Sequence, residues 1–331
     1  MDYKCMEEDT VLTGKCGENI TWRLEGKTLI IEGTGEMARH SGKQWKPYCN
    51  EISNVVIGEG ITSIAERAFM NCSDLISIII PDSIKEIGSS AFFGCASLTS
   101  IHIPSSVLTI GGAAFRKCSG LTDIDISDGV ASIGKLAFSQ CTSLADIKIP
   151  KSVTEIGAGA FSNCSKLTNV DYPEPIEQEK WRIFPGCPGF SSVTIPDGIE
   201  TIESATFRDC TGLTHISIPE SVKVIGARAF YGCINLTSVT IPDSVKEIGM
   251  GAFGQCVSLR EINIPESVTT IEKGAFYDCY SLTDLTIPES VQVFGDADVF
   301  TGCTSLTIHC VEGSEAQAQA EKYGIPFDFN V

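Results

Sequence analysis

Apolar residues recur along this chain with a period of 23. The unit from Cys95 to Cys118 reads C-A-S-L-T-S-I-H-I-P-S-S-V-L-T-I-G-G-A-A-F-R-K-C, with apolar positions at Leu98, Ile101, Ile103, Val107, Ile110, Ala114, Phe115 and Cys118. Ile101 and Ile103 alternate with Ser100 and His102, the period-two pattern of a strand with one buried face. Pro104 closes that strand, because proline has no N–H to give to a ladder. Val107 and Ile110 mark a second, shorter extended stretch. Glycine then stands at 111, as it does at 88, 134, 157, 226 and 249, and is read as meeting a need for permissive backbone angles where the chain turns. The Ala-Phe pair that follows predicts a short turn or a single 3₁₀ turn.

The register is long. Phenylalanine returns every 23 residues from Phe69 to Phe276, with Phe300 one residue late, and each is followed three places on by cysteine. A fixed period in this range is the mark of a solenoid, in which each repeat is one turn stacked on the last and cannot bury its own core alone. About eleven turns are expected over residues 49–310. Residues 1–48 lack the repeat, and Ile20–Leu24 with Thr28–Ile31 around Gly26 predict a β-hairpin cap. Residues 311–331 predict a second cap, with Ser314-Glu315-Ala316-Gln317 as a capping box, Gly324 as the helix stop and Ile325–Phe329 as a final extended segment.

One turn keeps its count and loses its chemistry. Between Cys164 and Cys187, Glu179-Lys180 replaces the usual Ile-Gly and Ile183 replaces alanine, and Pro173, Pro175, Pro185 and, just beyond, Pro188 crowd the stretch. Trp181 occupies the place of Lys135, Ala158 and Met250, a position read as exposed. Two readings stand: a bulging loop, 172–190, that displays Trp181 and Tyr172 for recognition, or a decayed repeat in which Trp181 folds inward to restore core volume.

Composition enters through cysteine and charge. Of fifteen cysteines, twelve share one phase, from Cys49 to Cys303. They are expected to be free, buried thiols packing as small hydrophobes, because stacked equivalents point their Cβ bonds in parallel and fit the disulfide torsion poorly. One cysteine per turn makes a line and not a zinc tetrahedron. Cys5, Cys16 and Cys310 lie outside the ladder, and their pairing stays open. The formal charge of −18 argues against nucleic acid and anionic lipid as partners. No apolar run is long enough for membrane insertion, and the opening Met1-Asp2-Tyr3-Lys4 is not that of a signal peptide.

Chemistry for catalysis is sparse. Four histidines occur, and His102 and His215 are read as equivalent solvent-facing strand positions five turns apart, roughly 25 Å at strand spacing. No nucleophile elbow, phosphate loop, dinucleotide fingerprint or zinc-helix motif is present. The reading is no enzyme, no cofactor and no metal site. The residues free to vary are the outward side chains of the main strands. Among these, Asp123, Asp125, Asp146 and Asp171 form an acidic cluster over three turns, suited to a basic protein segment or to Ca²⁺, or serving simply as polar cover on an acidic chain.

The consensus C-x-x-L-T-x-I-x-I-P-x-S-V-x-x-I-G-x-x-A-F-x-x-C resembles the BspA-like, treponemal-type leucine-rich repeat over roughly residues 49–310. Cys16–Trp22 with Gly33–Met37 looks like the opening of such proteins, and Gly313–Phe327 is similar to their ending. The resemblance implies a leucine-rich-repeat solenoid with a parallel β-sheet on a secreted or surface-attached bacterial protein, and an adhesin-like role toward a host matrix or surface protein. It carries no residue-level ligand motif. The alternatives are a spacer or display rod without a specific ligand, and a cytoplasmic location. Oligomeric state is not legible.

Overall fold

The alternation at each repeat becomes a strand because its isoleucines can be buried only by stacking on the next turn. The computed structural model describes residues 11–171, 184–295 and 298–329. Among the described residues, main strands run one per turn from Asn54–Ile57 through to Thr307–Cys310, and shorter strands follow them from Ile61–Ile64 through to Val293–Phe294. Equivalent strands pair in parallel with a 23-residue offset, as in Asp123↔Ser100 and Ile133↔Ile110. The fold is thus a β-solenoid of leucine-rich-repeat type.

The corner joining the short strand to the next main strand builds a third ladder. In residues 111–118, the amides of Ala113, Phe115 and Lys117 donate forward to the carbonyls of Lys135, Ala137 and Ser139 in the next turn. The alternate amides of Ala114, Arg116 and Cys118 donate back three residues, to Gly111, Ala113 and Phe115. These are the bonds of single 3₁₀ turns. They do not merge into a helix, because Ala113 (φ 54°) and Lys117 (φ 64°) sit in the left-handed region and swing every second N–H along the stack.

That geometry corrects the reading of the recurrent glycine. Gly111 and Gly134 do not have positive φ; the strained positions lie two and six residues further on. The glycines are there for space. A Cβ on Gly111 would meet the Ser89 nitrogen at 2.5 Å, and one on Gly134 the Gly112 nitrogen at 2.5 Å. Spacing along the phenylalanine stack follows this. Where the corner has its glycine, successive rings lie 5.0–5.5 Å apart from Phe69 to Phe161 and 5.3–5.5 Å from Phe207 to Phe253. Where Ala65, Lys180, Glu203 or Glu272 replaces it, the steps widen to 5.7, 6.0, 6.4 and 5.8 Å. The last step, Phe276 to Phe300, is also 5.8 Å despite Gly295, and carries the extra residue.

The ten phenylalanines in register from Phe69 to Phe276 are fully buried. The stack passes through Phe184 without a break, although 172–183 lie outside the described residues. Beside it, ten thiols from Cys95 to Cys303 each donate to the phenylalanine carbonyl one turn back, at 3.1–3.4 Å. The expectation of free thiols fails at one rung, where Cys49 and Cys72 form a disulfide with Cα atoms 4.3 Å apart. Cys49 follows a 3₁₀ turn, Lys46–Tyr48, and not a regular corner, so Cys72 has no phenylalanine carbonyl to donate to and its sulfur meets Cys49 instead. Cys16 and Cys310 are free and buried; Cys5 lies outside the described residues.

Both ends of the stack are covered. β1 (Leu12–Lys15), β2 (Asn19–Glu25) and β3 (Thr28–Glu36) form an antiparallel sheet. The first part of β3 then pairs in parallel with Asn54–Ile57, and its end with Ile61–Ser63, so one strand starts both ladders. Trp45 replaces phenylalanine at the head of the stack, 5.7 Å from Phe69, with its Nε1 donating to Ala68 O at 2.8 Å and the Trp22 ring edge-on behind it. At the other end, α1 (Glu315–Tyr323) buries Ala316 and Ala320. Ser314 Oγ accepts from the Gln317 amide, and Gly324 (φ 67°) ends the helix. The Gln317 side chain closes its half of the cap on the Gly313 amide, one residue earlier than a standard capping box. Phe327–Asp328 finally adds a parallel strand beside Ile308–His309.

Candidate interaction surface

Main-strand side chains alternate between core and solvent, which leaves two outward columns running the length of the ladder. The first contains Ser100, Asp123, Asp146 and Asn169; the second contains His102, Asp125, Lys148 and Asp171. All four predicted aspartates are exposed. Asp125 and Asp171 line one groove of about 540 Å³, with Lys148 between them and Asp128 and Lys151 at its rim. His102 Nδ1 lies 2.7 Å from Asp125 Oδ2. The acidic cluster is therefore interleaved with two bases, and both partners of the His102–Asp125 pair are too exposed for it to add much stability. Among the described residues, no three carboxylates, imidazoles or thiols converge as a metal site would require. Trp181 and Tyr172 lie outside the described residues. Lys135, Ala158 and Met250, in register with Trp181, are exposed, whereas Ile149 and Ile195, in register with Tyr172, are buried.

The histidine comparison needs correction. His102 pairs with Asp125 in the second column, whereas His215 pairs with Ser192 in the first, so the two are not equivalent. The second column is apolar at its N-terminal end: Ile30, Val56 and Ile79 stand in register, and Ile79 is 63% exposed.

A charged group that sequence reasoning missed lies at the other end. His309 Nδ1 is 2.7 Å from Asp328 Oδ1 and its Nε2 is 3.4 Å from Asp284 Oδ1. The hydrogen bond donated to Asp328, opposed by burial and aided by that donated toward Asp284, holds the imidazole pKa above its usual value. The Thr283 hydroxyl and His309 together hold the Asp284 carboxyl below its own. The group borders a groove of about 910 Å³ that also includes Thr240, Arg260, Glu261 and Asn263. Counting by 23 places Asp284 and His309 on the outward face, but Asp328 comes from beyond the repeat, where no register can be counted.

A sequence profile of the BspA type leucine rich repeat region matches residues 46–168 and 180–307, with six copies. Among solved structures, a leucine rich cell surface protein from Faecalibacterium prausnitzii is 25% identical with a TM-score of 0.56, over 98% of this chain and all of its own. A leucine-rich repeat protein from Bacteroides ovatus is 23% identical with a TM-score of 0.51, over 97% of this chain and 98% of its own. The pneumococcal vaccine antigen PcpA is 19% identical with a TM-score of 0.53, over 91% of this chain and 81% of its own. A search of curated proteins gives no match. Among the described residues no helix is long and apolar enough to cross a membrane.

Proposed function

The chain belongs to the BspA type leucine-rich repeat family, and from that premise we propose that it is a secreted or surface-attached bacterial scaffold that binds a protein partner, in the manner of an adhesin, through its outward strand face. The likeness to a bacterial cell surface protein supports the location. The observation that carries the binding reading is the second outward column, where exposed Ile79 leads directly into His102, Asp125, Lys148 and Asp171. Protein interfaces join an apolar centre to a charged rim in this way. Residues 1–48 and 311–331 act in this reading as caps on the repeats of 49–310. Tyr172 and Trp181 are a second candidate contact in the same reading. We take the scaffold to be non-catalytic, with no cofactor, no nucleic-acid partner and no membrane insertion.

The test is binding of the purified chain to a panel of purified host matrix and surface proteins by interferometry, with Ile79→Ser, Asp125→Asn, Asp171→Asn and Trp181→Ala variants. A loss of tenfold or more on changing Ile79 or the aspartates is expected for the bound member. Binding unchanged in all four variants would remove this face and the loop as the site. A spacer is the second reading, favoured by the unbroken ring stack from Trp45 to Phe300. It takes over when no panel member binds.

A further inference from the structure

One face runs against the charge of the whole chain. Over residues 88–98, 111–121, 134–144 and 157–167, which form four successive corners, the only charged side chains are Arg116, Lys117, Lys135 and Lys166, in a chain of net charge −18. The three lysines are exposed and Arg116 is half-buried. Arg116 and Lys117 lean over the Phe93 ring at 5.9 and 5.5 Å, and Arg116 Nε is enclosed without an acceptor. Beside them runs an open groove of about 640 Å³ whose polar walls are Lys117, Ser119, Gln140, Thr142 and Asn163.

We propose that this corner face binds an acidic polysaccharide, a uronate polymer lying along the stack with one sugar per turn. Three features select this ligand class. The rise per turn here is 5.0–5.5 Å between rings from Phe92 to Phe161, close to the length of one pyranose unit in an extended chain. An extended peptide repeats its same-face side chains about every 6.8 Å and drifts out of step with that spacing. The corner also offers a peptide no open edge, because the amides of Ala113, Phe115 and Lys117 are already bonded to the next turn. Lys117 stands in the groove among hydroxyls and amides, and Arg116, Lys135 and Lys166 lie on the same corners outside it, a mixture that complements a ligand carrying both hydroxyls and carboxylates. A nucleic acid, with a phosphate at every step, would need far more cations than four against this net charge.

The proposal is independent of the strand-face reading, since it concerns other residues and another ligand. The test is titration of the whole chain with polygalacturonate at low and high salt, with dextran and polyglutamate as comparison polymers. The expected result is salt-sensitive binding of polygalacturonate in preference to both. A Lys117→Gln/Lys135→Gln/Lys166→Gln variant with an unchanged unfolding midpoint should lose at least tenfold in affinity. The proposal is overturned by absence of polygalacturonate binding at low salt, by equal binding of polyglutamate or dextran, or by a triple variant that binds like the parent.

Discussion

Gly111 sits against Ser89 of the preceding turn so closely that a Cβ on it would stand 2.5 Å from the Ser89 nitrogen. Two residues on, Ala113 has φ 54°, where a side chain is strained and glycine is not. Reciprocal swaps should therefore have opposite signs. Gly111→Ala should cost about 1–3 kcal/mol through overpacking. Ala113→Gly should gain up to ~1 kcal/mol, as ~1–2 kcal/mol of relieved left-handed strain is partly offset by the extra backbone freedom of unfolded glycine. Urea midpoints of the two variants check this. Destabilisation by both would mean that Ala113 is not strained.

The thiol ladder should be chemically silent while the protein is folded. Burial pushes Cys118, Cys164, Cys210 and Cys256 up to about 12, against an ordinary value of 9.0. At pH 8 their thiolate fraction is then ~1 in 10⁴, and the thiolate is the reactive form. Iodoacetamide should label none of Cys95 to Cys279 in the native protein. In denaturant without reductant, Cys49 and Cys72 should stay unlabelled while the twelve free thiols of the described residues react. Because these folded values are raised, the stability they contribute is complete below pH 9 and falls above it, as the unfolded chain ionises first. Native labelling of Cys118, read by mass spectrometry, would contradict the packing.

Trp45 is the keystone of the N-terminal end, fully buried, stacked on Phe69 and bonded to the Ala68 carbonyl. Trp45→Ala should cost ~3–5 kcal/mol. Trp45→Phe restores the residue type of the ring column and should cost only ~1 kcal/mol, for the lost hydrogen bond. Thermal unfolding followed by hydrogen exchange in β2 and β3 measures both. Equal costs would show that the hairpin does not depend on the ring.

The periodic part of this architecture was open to reading because one residue type per position does one job. Ile101, Ile103, Phe115 and Cys118 repeat since each needs a place in a core that is the same at every turn. What recurs does not explain itself, however. Glycine at 111 and 134 marks a close approach, and its recurrence in sequence looks the same as a need for positive φ. The positions that do have positive φ, among them Ser90, Ala113 and Leu136, vary in residue type and give no signal. The outward columns are equally open to the count. Steps of 23 set Lys148 between Asp125 and Asp171 and carry His102 to Ser217, not to His215, so the interleaved charge and the separate columns of the two histidines both follow from the register. The Cys49–Cys72 bridge and the contact from Asp328 to His309 both arise where repeat meets cap, and no period crosses that boundary.

Among the described residues His309 is the one histidine placed between two carboxylates, and it ties the last strand to the stack. As an imidazolium it donates from Nδ1 to Asp328 and from Nε2 toward Asp284; as neutral imidazole it can donate to only one of them. Its folded pKa is raised above 6.5, so its contribution is fully present below that value and is lost as pH rises through the folded pKa. Asp284 runs the other way: its folded pKa is lowered from 3.8, so its share is present above that value and is lost as pH falls through the folded pKa. The attachment of Phe327–Asp328 should thus be firmest between about pH 4 and 6.5. The Ile308 amide, which donates to Pro326 O at 2.8 Å, reports on it directly. Its hydrogen-exchange protection, corrected for intrinsic rate, should fall from pH 6 to pH 8 in the parent and show no such step in His309→Gln. Asp328→Asn, which keeps the shape and removes the charge, should move the step to lower pH. An unchanged step in His309→Gln would assign the pH dependence to another group.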